Sequence, residues 1–138
     1  MKARLYLDAS AYFSVLVRGE QSRQLETELR GAHLMSSVVL VLEVQRNLVR
    51  LVREKAISAD QYLAMSDAMR ATMEVLRLRE VTLDLCLPAA MPAAVLPRSL
   101  DLIHLRTAQW FHAEEPLTRF VSLDRAQNHA ARELGLPV

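Results

Sequence analysis

The stretch RLYLDASAYFSVL, residues 4–16, decides the fold. Its three consecutive apolar residues, Leu5–Leu7, predict a short buried strand. An acidic residue and a run of helix formers follow directly, so Asp8 or Ser10 is expected at the N-cap of a helix. A buried strand that passes into a helix through a capping side chain is typical of α/β proteins.

The same order of strand and helix recurs along the chain. Further strands are predicted at AHLMSS (32–37), at Arg79–Leu83 and at RFVSL (119–123). Helices are predicted over residues 9–17, 21–31, 38–54, 57–76, 99–112 and 124–135, two of which end at the glycines Gly31 and Gly135. This alternation predicts a parallel sheet with right-handed crossovers, in a single domain covering residues 1–138.

Two regions of the pattern are less regular. The run VVLVL at the start of Val38–Glu54 has the β-branched content of a strand, but apolar residues recur at helical spacing over the whole segment and favour a helix capped by Ser36 or Ser37. Between the third strand and the helix at residue 99, any helix must be short or kinked, because three prolines interrupt the chain: Pro88, Pro92 and Pro97.

Composition bounds the function only loosely. With 138 residues, 51% of them apolar, the chain is long enough for one hydrophobic core and too short for two domains. A net charge of +1 and a pI near 8.0 give no overall field that would indicate nucleic-acid binding. Only two of the 17 basic residues are lysines, which favours bidentate phosphate contacts by arginine or, equally, a genome with arginine-favouring codons.

The single cysteine and the lack of long apolar runs indicate a cytoplasmic protein. Cys86 has no internal partner for a disulfide, and its apolar surroundings predict a reduced structural thiol. We expect no membrane-spanning helix, because no uncharged stretch approaches the roughly 18 residues that such a helix needs, and we expect no secretory leader.

Four acidic residues stand where apolar runs give way to helices, namely Asp8, Glu43, Asp101 and Asp124. In a parallel α/β fold these positions fall near one edge of the sheet, which is where such proteins bind ligands. Carboxylates that converge without a cation repel one another, so a cluster of this kind predicts a metal site. Ligands that offer only oxygen select Mg²⁺ or Mn²⁺, whereas Zn²⁺ favours His or Cys.

Each carboxylate also has an ordinary structural interpretation. Asp8 and Asp124 are suited to cap the helices that follow them, and Asp101 can interact with a helix dipole behind a cap at Ser99. Glu43 lies in the middle of a predicted helix, where solvated pairs with basic residues one turn away would explain it. Both interpretations stay open for each of the four residues.

Hydroxyl and imidazole side chains lie near these acids in the sequence. Ser10 and Ser122 are each two residues from an aspartate, placed either to hydrogen-bond a water in the site or to cap backbone groups. His104 is one turn from Asp101 but points about 60° away from it around the helix, so it is not expected to be a ligand. The other histidines are interpreted as surface or packing residues: His33, His112 and His129.

Four stretches of the chain resemble the acidic blocks of PIN-domain ribonucleases. They are YLDASAYFSVL (6–16), SSVVLVLEVQRNL (36–48), LPRSLDLIHLRTAQWF (96–111) and FVSLDRAQNHAARELGLPV (120–138), and the similarity is greatest to VapC-type toxins of bacterial toxin–antitoxin pairs. The resemblance implies a three-layer α/β/α sandwich around a short-stranded parallel sheet, and endonucleolytic cleavage of RNA with Mg²⁺ or Mn²⁺. It also implies metal-binding and catalytic roles for Asp8, Glu43, Asp101 and Asp124. Ser122 and Ser10 match the accompanying hydroxyl positions, with a catalytic role expected for Ser122 and a substrate contact for Ser10.

Three features depart from the family pattern. Gln127 stands where some relatives carry a further acid, Pro92 interrupts a region that is usually a continuous helix, and the chain reaches Val138 where an edge strand normally continues. The first departure would lower metal occupancy, and the other two concern packing.

We therefore expect hydrolysis of an RNA phosphodiester, with the flanking phosphates held by nearby arginines: Arg46, Arg50, Arg98 and Arg125. A PIN-like domain kept as a catalytically weak RNA- or protein-binding module is the alternative. A phosphatase that uses Asp8 as its nucleophile fits less well, because Ser10 occupies the place of the second aspartate that such enzymes need.

Apolar residues along Val38–Leu51 and Tyr62–Met73 exceed what one helix stripe can bury. Three methionines, Met65, Met69 and Met73, suit an adaptable surface, although packing in the core explains them equally well. We expect a homodimer that also receives an apolar segment of a cognate antitoxin in a groove near these helices.

Overall fold

A computed structural model describes the chain over residues 1–138. The strands are β1 (Arg4–Leu7), β2 (His33–Ser37), β3 (Arg77–Arg79) and β4 (Arg119–Val121). The helices are α1 (Ala9–Leu16), α2 (Ser22–Leu29), α3 (Val39–Arg53), α4 (Ala59–Met73), α5 (Leu83–Cys86), α6 (Ser99–Glu114) and α7 (Arg125–Glu133). The predicted alternation of strands and helices is confirmed.

The sheet is parallel throughout, with strand order β3-β2-β1-β4. Tyr6 of the central strand β1 lies opposite Met35 of β2 and Phe120 of β4. Because all strands run in one direction, their carboxyl ends meet at one edge of the sheet. The residues that follow β1 and β4 in the sequence therefore come together there.

Side chains of β1 alternate between two helical layers, as the pleat of a strand requires. Leu5 and Leu7 pack in a core formed with helices α1 to α4, where Val44 of α3 is also buried. Tyr6 points to the other face and packs in a second core with residues of α6 and α7, Phe111 among them. The three-layer α/β/α sandwich implied by the resemblance is confirmed.

Local sequence signals set most helix ends. Ser58 caps α4 in a reciprocal capping box with Gln61. Gly31 and Gly135 follow α2 and α7 with φ of 73° and 83°, a left-handed conformation that glycine adopts without strain. The expected serine cap of α3 is wrong, because Val38 occupies the N-cap, although the Ser37 hydroxyl accepts from the backbone N–H of Val39 over 3.3 Å.

The third strand is the element that the sequence misplaces. The prediction of Arg79–Leu83 is wrong, because β3 ends at Arg79 and the chain forms helix α5 from Leu83. The neighbouring strand β2 ends at Ser37, which lies opposite Arg79. With no backbone partner beyond that point, the apolar residues that follow cannot continue the sheet.

The methionines of α4 pack inward and do not form the adaptable surface that was the first interpretation. Met69 is buried, and Met65 and Met73 pack against the same core. The exposed apolar residues of this region are leucine and valine instead, with Leu42 of α3 69% exposed and Leu63 of α4 58% exposed. Core packing, the second interpretation, therefore explains the methionines.

Two further expectations concern the rest of the chain. The apolar neighbours of Cys86 do not enclose it, since the thiol is free but exposed on α5. After α7 the backbone N–H of Phe120 donates to the carbonyl of Pro137 over 2.7 Å, so the last residues run beside β4 without forming a fifth strand. No helix has the length and apolar character needed to cross a membrane.

Candidate active site

A cavity of about 750 Å³ opens at the carboxyl edge of the sheet. Three of the four predicted carboxylates line it: Glu43, Asp101 and Asp124. They come from three different elements, the middle of α3, the first turn of α6 and the N-cap of α7. The parallel topology therefore brings together acids that are far apart in the sequence.

Asp8 lies deeper in the same edge, 5% exposed, at the end of β1. Its Oδ1 caps α1 by accepting from the backbone N–H of Ala11 over 3.1 Å, and it accepts from the Ser10 hydroxyl over 2.7 Å. Burial raises the pKa of the Asp8 carboxyl, against hydrogen bonds from Ser122 and Ser10 that lower it. The cap interpretation of Asp8 is thus observed, together with an environment that disfavours its charge.

Two serines connect Asp8 to Asp124. The hydroxyls of Ser10 and Ser122 are 3.3 Å apart, and the Ser122 hydroxyl accepts from the backbone N–H of Asp124 over 3.0 Å. Asp124 in turn caps α7, its Oδ1 accepting from Ala126 over 2.9 Å and from Gln127 over 3.3 Å. Both serines predicted from spacing are therefore in contact with the acidic residues.

Asp101 lies near the negative charges of Asp124 and Glu43. Burial raises the pKa of its carboxyl, the charges of Asp124 and Glu43 raise it further, and a hydrogen bond from the backbone N–H of Arg98 lowers it. The prediction of a cap at Ser99 is wrong, because Arg98 occupies the N-cap of α6. The arginine has no side-chain oxygen that could cap the helix. A carboxylate at the third helical position reaches back to satisfy the N-cap N–H instead.

Gln127, where the family resemblance leads to the expectation of a further acid, is a buried connection between two helices. Its side-chain Nε2 donates to the backbone carbonyl of Asp101 over 2.9 Å, while its own N–H is capped by Asp124. A carboxylate could not donate this bond. The glutamine therefore holds the starts of α6 and α7 together.

Glu43 turns inward from α3 and contacts a buried histidine. Its Oε1 lies 2.6 Å from Nε2 of His104, and the side chains are 17% and 1% exposed. On the other side of the ring, Nδ1 of His104 lies 2.8 Å from the hydroxyl of Tyr6. Burial raises the pKa of Tyr6 well above its usual value, so the residue remains a phenol.

His104 is the site residue that sequence reasoning missed. The prediction that His104 and Asp101 point in different directions from α6 considered that helix alone. The hydrogen-bond partner of His104 is Glu43, which lies on α3. The available signal was a histidine in an otherwise apolar helix, because a buried polar ring requires hydrogen-bond partners. Nothing in the sequence identified Glu43 as that partner.

The donor set fits a hard divalent cation in its chemistry. The nearby acidic and hydroxyl side chains offer only oxygen atoms as ligands. In Glu43 the only hydrogen-bonded carboxylate oxygen is Oε1, and in Asp124 it is Oδ1, so the second oxygen of each carboxylate has no hydrogen-bond partner. As they stand, no three His, Cys, Asp or Glu side chains are grouped closely enough to hold an ion. The assignment of the four acids as metal ligands stays a prediction.

The predicted arginines are distributed around the cavity mouth. Arg46 and Arg98 line the cavity itself. Arg46 also lines an adjoining groove of about 530 Å³ along α3, which Arg50 and the exposed Leu42 share. Arg125 is exposed at the start of α7 and lines neither space.

Comparison with known proteins adds one relative across almost the full length of the chain. Ribonuclease VapC46 of Mycobacterium tuberculosis (strain ATCC 25618 / H37Rv) is 33% identical over 140 aligned positions, which cover 99% of this chain and 96% of the relative. No protein-family model matches the chain.

Proposed function

Because the chain belongs to the VapC-type PIN-domain ribonucleases, we propose that it is an endoribonuclease that requires Mg²⁺ or Mn²⁺. The observation that carries the proposal is the cavity at the carboxyl edge, where three helices contribute Glu43, Asp101 and Asp124. Burial raises the pKa of Asp101, and the charges of Asp124 and Glu43 raise it further. A fold gains little from such an arrangement unless a cation neutralises it.

The residues that would hold the cation are Asp8, Glu43, Asp101 and Asp124. When bound, a divalent cation supplies Lewis acidity towards the phosphodiester and towards water. The protein's own contribution is to keep these carboxylates in place, which it does by capping bonds at Asp8 and Asp124.

Hydroxyl groups in the site are suited to orient a water molecule. Ser122 and Ser10 lie between Asp8 and Asp124, and each hydroxyl can both donate and accept. Of the two, Ser122 is 5% exposed and is fixed by the backbone N–H of Asp124. We assign Ser122 to the catalytic group and the half-buried Ser10 to contact with the substrate.

The RNA strand would be held through its phosphates. Arg98 and Arg46 line the cavity, so each can pair with a phosphate beside the one that is cut. Arg50 extends this line along α3 into the adjoining groove. Arg125, exposed next to Asp124, is the fourth arginine assigned to phosphate contact.

The family also implies the protein's partners. We propose that the chain is the toxin of a type II toxin–antitoxin pair, that a cognate antitoxin neutralises it, and that it forms a homodimer. The exposed Leu42 and Leu63 on α3 and α4 support an apolar contact surface on these helices. The products would carry 5′-phosphate and 3′-hydroxyl ends.

A catalytically weak PIN-like binding module is the second candidate. The observation that favours it is that no three ligating side chains are grouped in the structure as it stands. The two candidates make opposite predictions for RNA that has been bound, because only the first one cuts it.

Incubation of single-stranded RNA with purified protein and Mn²⁺ tests the proposal. The wild type should cut, while Glu43→Gln and Asp101→Asn should lose activity by orders of magnitude. Asp67→Asn, an exposed acid on α4, is the matched control and should cut normally. Wild-type protein that retains RNA without cutting it would establish the binding module instead.

A further inference from the structure

Glu43 is held differently from the other three acids of the site. Asp8 and Asp124 accept backbone N–H groups at helix N-caps, and Asp101 accepts the N–H of Arg98. Glu43 lies in the middle of α3, where every backbone N–H is used by the helix itself. Its one hydrogen bond is to Nε2 of His104.

His104 has no freedom to turn away from that bond. The ring is 1% exposed, and it packs edge-on against Tyr6 with centroids 5.8 Å apart and an interplanar angle of 74°. The Tyr6 hydroxyl lies 2.8 Å from its Nδ1. Tyr6 is itself fully buried on β1, stacked on Phe120 of β4.

The direction of the hydrogen bonds follows from the chemistry of the three groups. A carboxylate only accepts, so Nε2 of His104 donates to Glu43. In a neutral imidazole Nδ1 then accepts, and the Tyr6 hydroxyl donates to it. The chain of bonds from Tyr6 through His104 fixes both the tautomer and the orientation of the ring, and it leaves Oε2 of Glu43 without a hydrogen-bond partner.

We propose that His104, locked by the Tyr6 hydroxyl, is a positioning residue that holds the Glu43 carboxylate for a divalent cation. This inference rests on the proposed function, in which Glu43 is a ligand. Outer residues that orient a ligand typically change metal affinity or activity by about 10–100-fold when they are replaced. His104 and Tyr6 belong to that class, and neither is placed to touch the substrate.

Mn²⁺ titration by calorimetry, with thermal melts to establish folding, measures the effect directly. His104→Ala and Tyr6→Phe should each weaken Mn²⁺ binding, the first by about 10–100-fold. Tyr6→Phe keeps the buried ring, so it separates the hydroxyl from packing. His104→Gln, whose amide can still donate to Glu43, should retain part of the affinity that His104→Ala loses. Tyr12→Phe, a buried tyrosine of the other core, is the matched control and should bind Mn²⁺ as the wild type does.

A double-mutant cycle then separates positioning from a general effect on the fold. In the Glu43→Gln background, His104→Ala and Tyr6→Phe should cause no further loss, because the residues act through Glu43. Equal losses in both backgrounds, or wild-type affinity in both single variants, would overturn the inference alone. Wild-type protein that neither binds Mn²⁺ nor cuts RNA would overturn the proposed function and this inference together.

Discussion

Replacing Asp101 by Asn separates a metal ligand from a structural residue. The amide has nearly the shape of the carboxylate, and its oxygen can still accept the backbone N–H of Arg98. The substitution removes the negative charge of Asp101. Burial of that charge, and its repulsion by Asp124 and Glu43, raise the pKa of Asp101. Without metal, the folded protein should therefore become more stable, whereas catalysis should fall by orders of magnitude.

The size of the stability change follows from the exposure of the site. Asp101 is only half-buried, so solvent screens each like-charge repulsion to below about 1 kcal/mol. A net gain of up to ~1 kcal/mol corresponds to a rise in melting temperature of roughly 2–6 °C for a domain of this size.

Thermal melts with and without Mn²⁺, together with RNA cleavage rates, measure both effects. Asp84→Asn is the matched control, because Asp84 also lies in the first turn of a helix but outside the cavity. The Asp84 side chain is 68% exposed, so its neutralisation should change the melting temperature little and leave cleavage unchanged. The reasoning is refuted if Asp101→Asn melts clearly lower without metal and yet cuts RNA at the wild-type rate.

Three further predictions concern pH, packing and assembly. Burial raises the pKa of Asp8 and of Asp101 above their unfolded values near ~4, so the metal-free fold should lose stability as pH rises from there through the folded pKa values. Urea unfolding at several pH values should show a smaller loss in Asp8→Asn, and an unchanged dependence of the unfolding free energy on pH would count against this prediction. Gln127→Ala leaves the buried carbonyl of Asp101 without its partner and should cost about 1–3 kcal/mol in urea unfolding, so an unchanged midpoint would contradict the role given to this residue. Light scattering at micromolar concentration should find a homodimer that Leu42→Glu shifts towards monomer, and a monomeric wild type would exclude the proposed dimer.

The sequence predicts those parts of the fold that depend on local chemistry. Asp8 and Asp124 follow apolar runs and precede helices, and each does cap its helix. The same signal placed both residues at the carboxyl edge, because a parallel sheet collects its strand ends there. Glu43 stood out for an equally local reason, as an acid in the middle of an apolar helix.

Other features depend on contacts that no local pattern contains. The end of β3 is set by where its neighbour β2 ends, opposite Arg79, and not by the residues of β3 itself. The role of His104 requires α6 and α3 to pack so that its ring reaches Glu43. Gln127 looked like a missing acid, and only the approach of α7 to the start of α6 reveals it as a donor to Asp101.

Cleavage of RNA by chelator-treated protein tests the central claim most directly. With excess chelator the protein should leave RNA intact, and added Mg²⁺ or Mn²⁺ should restore cleavage where Zn²⁺ restores it poorly, because the site offers carboxylate oxygens that favour hard cations. Full cleavage in excess chelator would contradict the account.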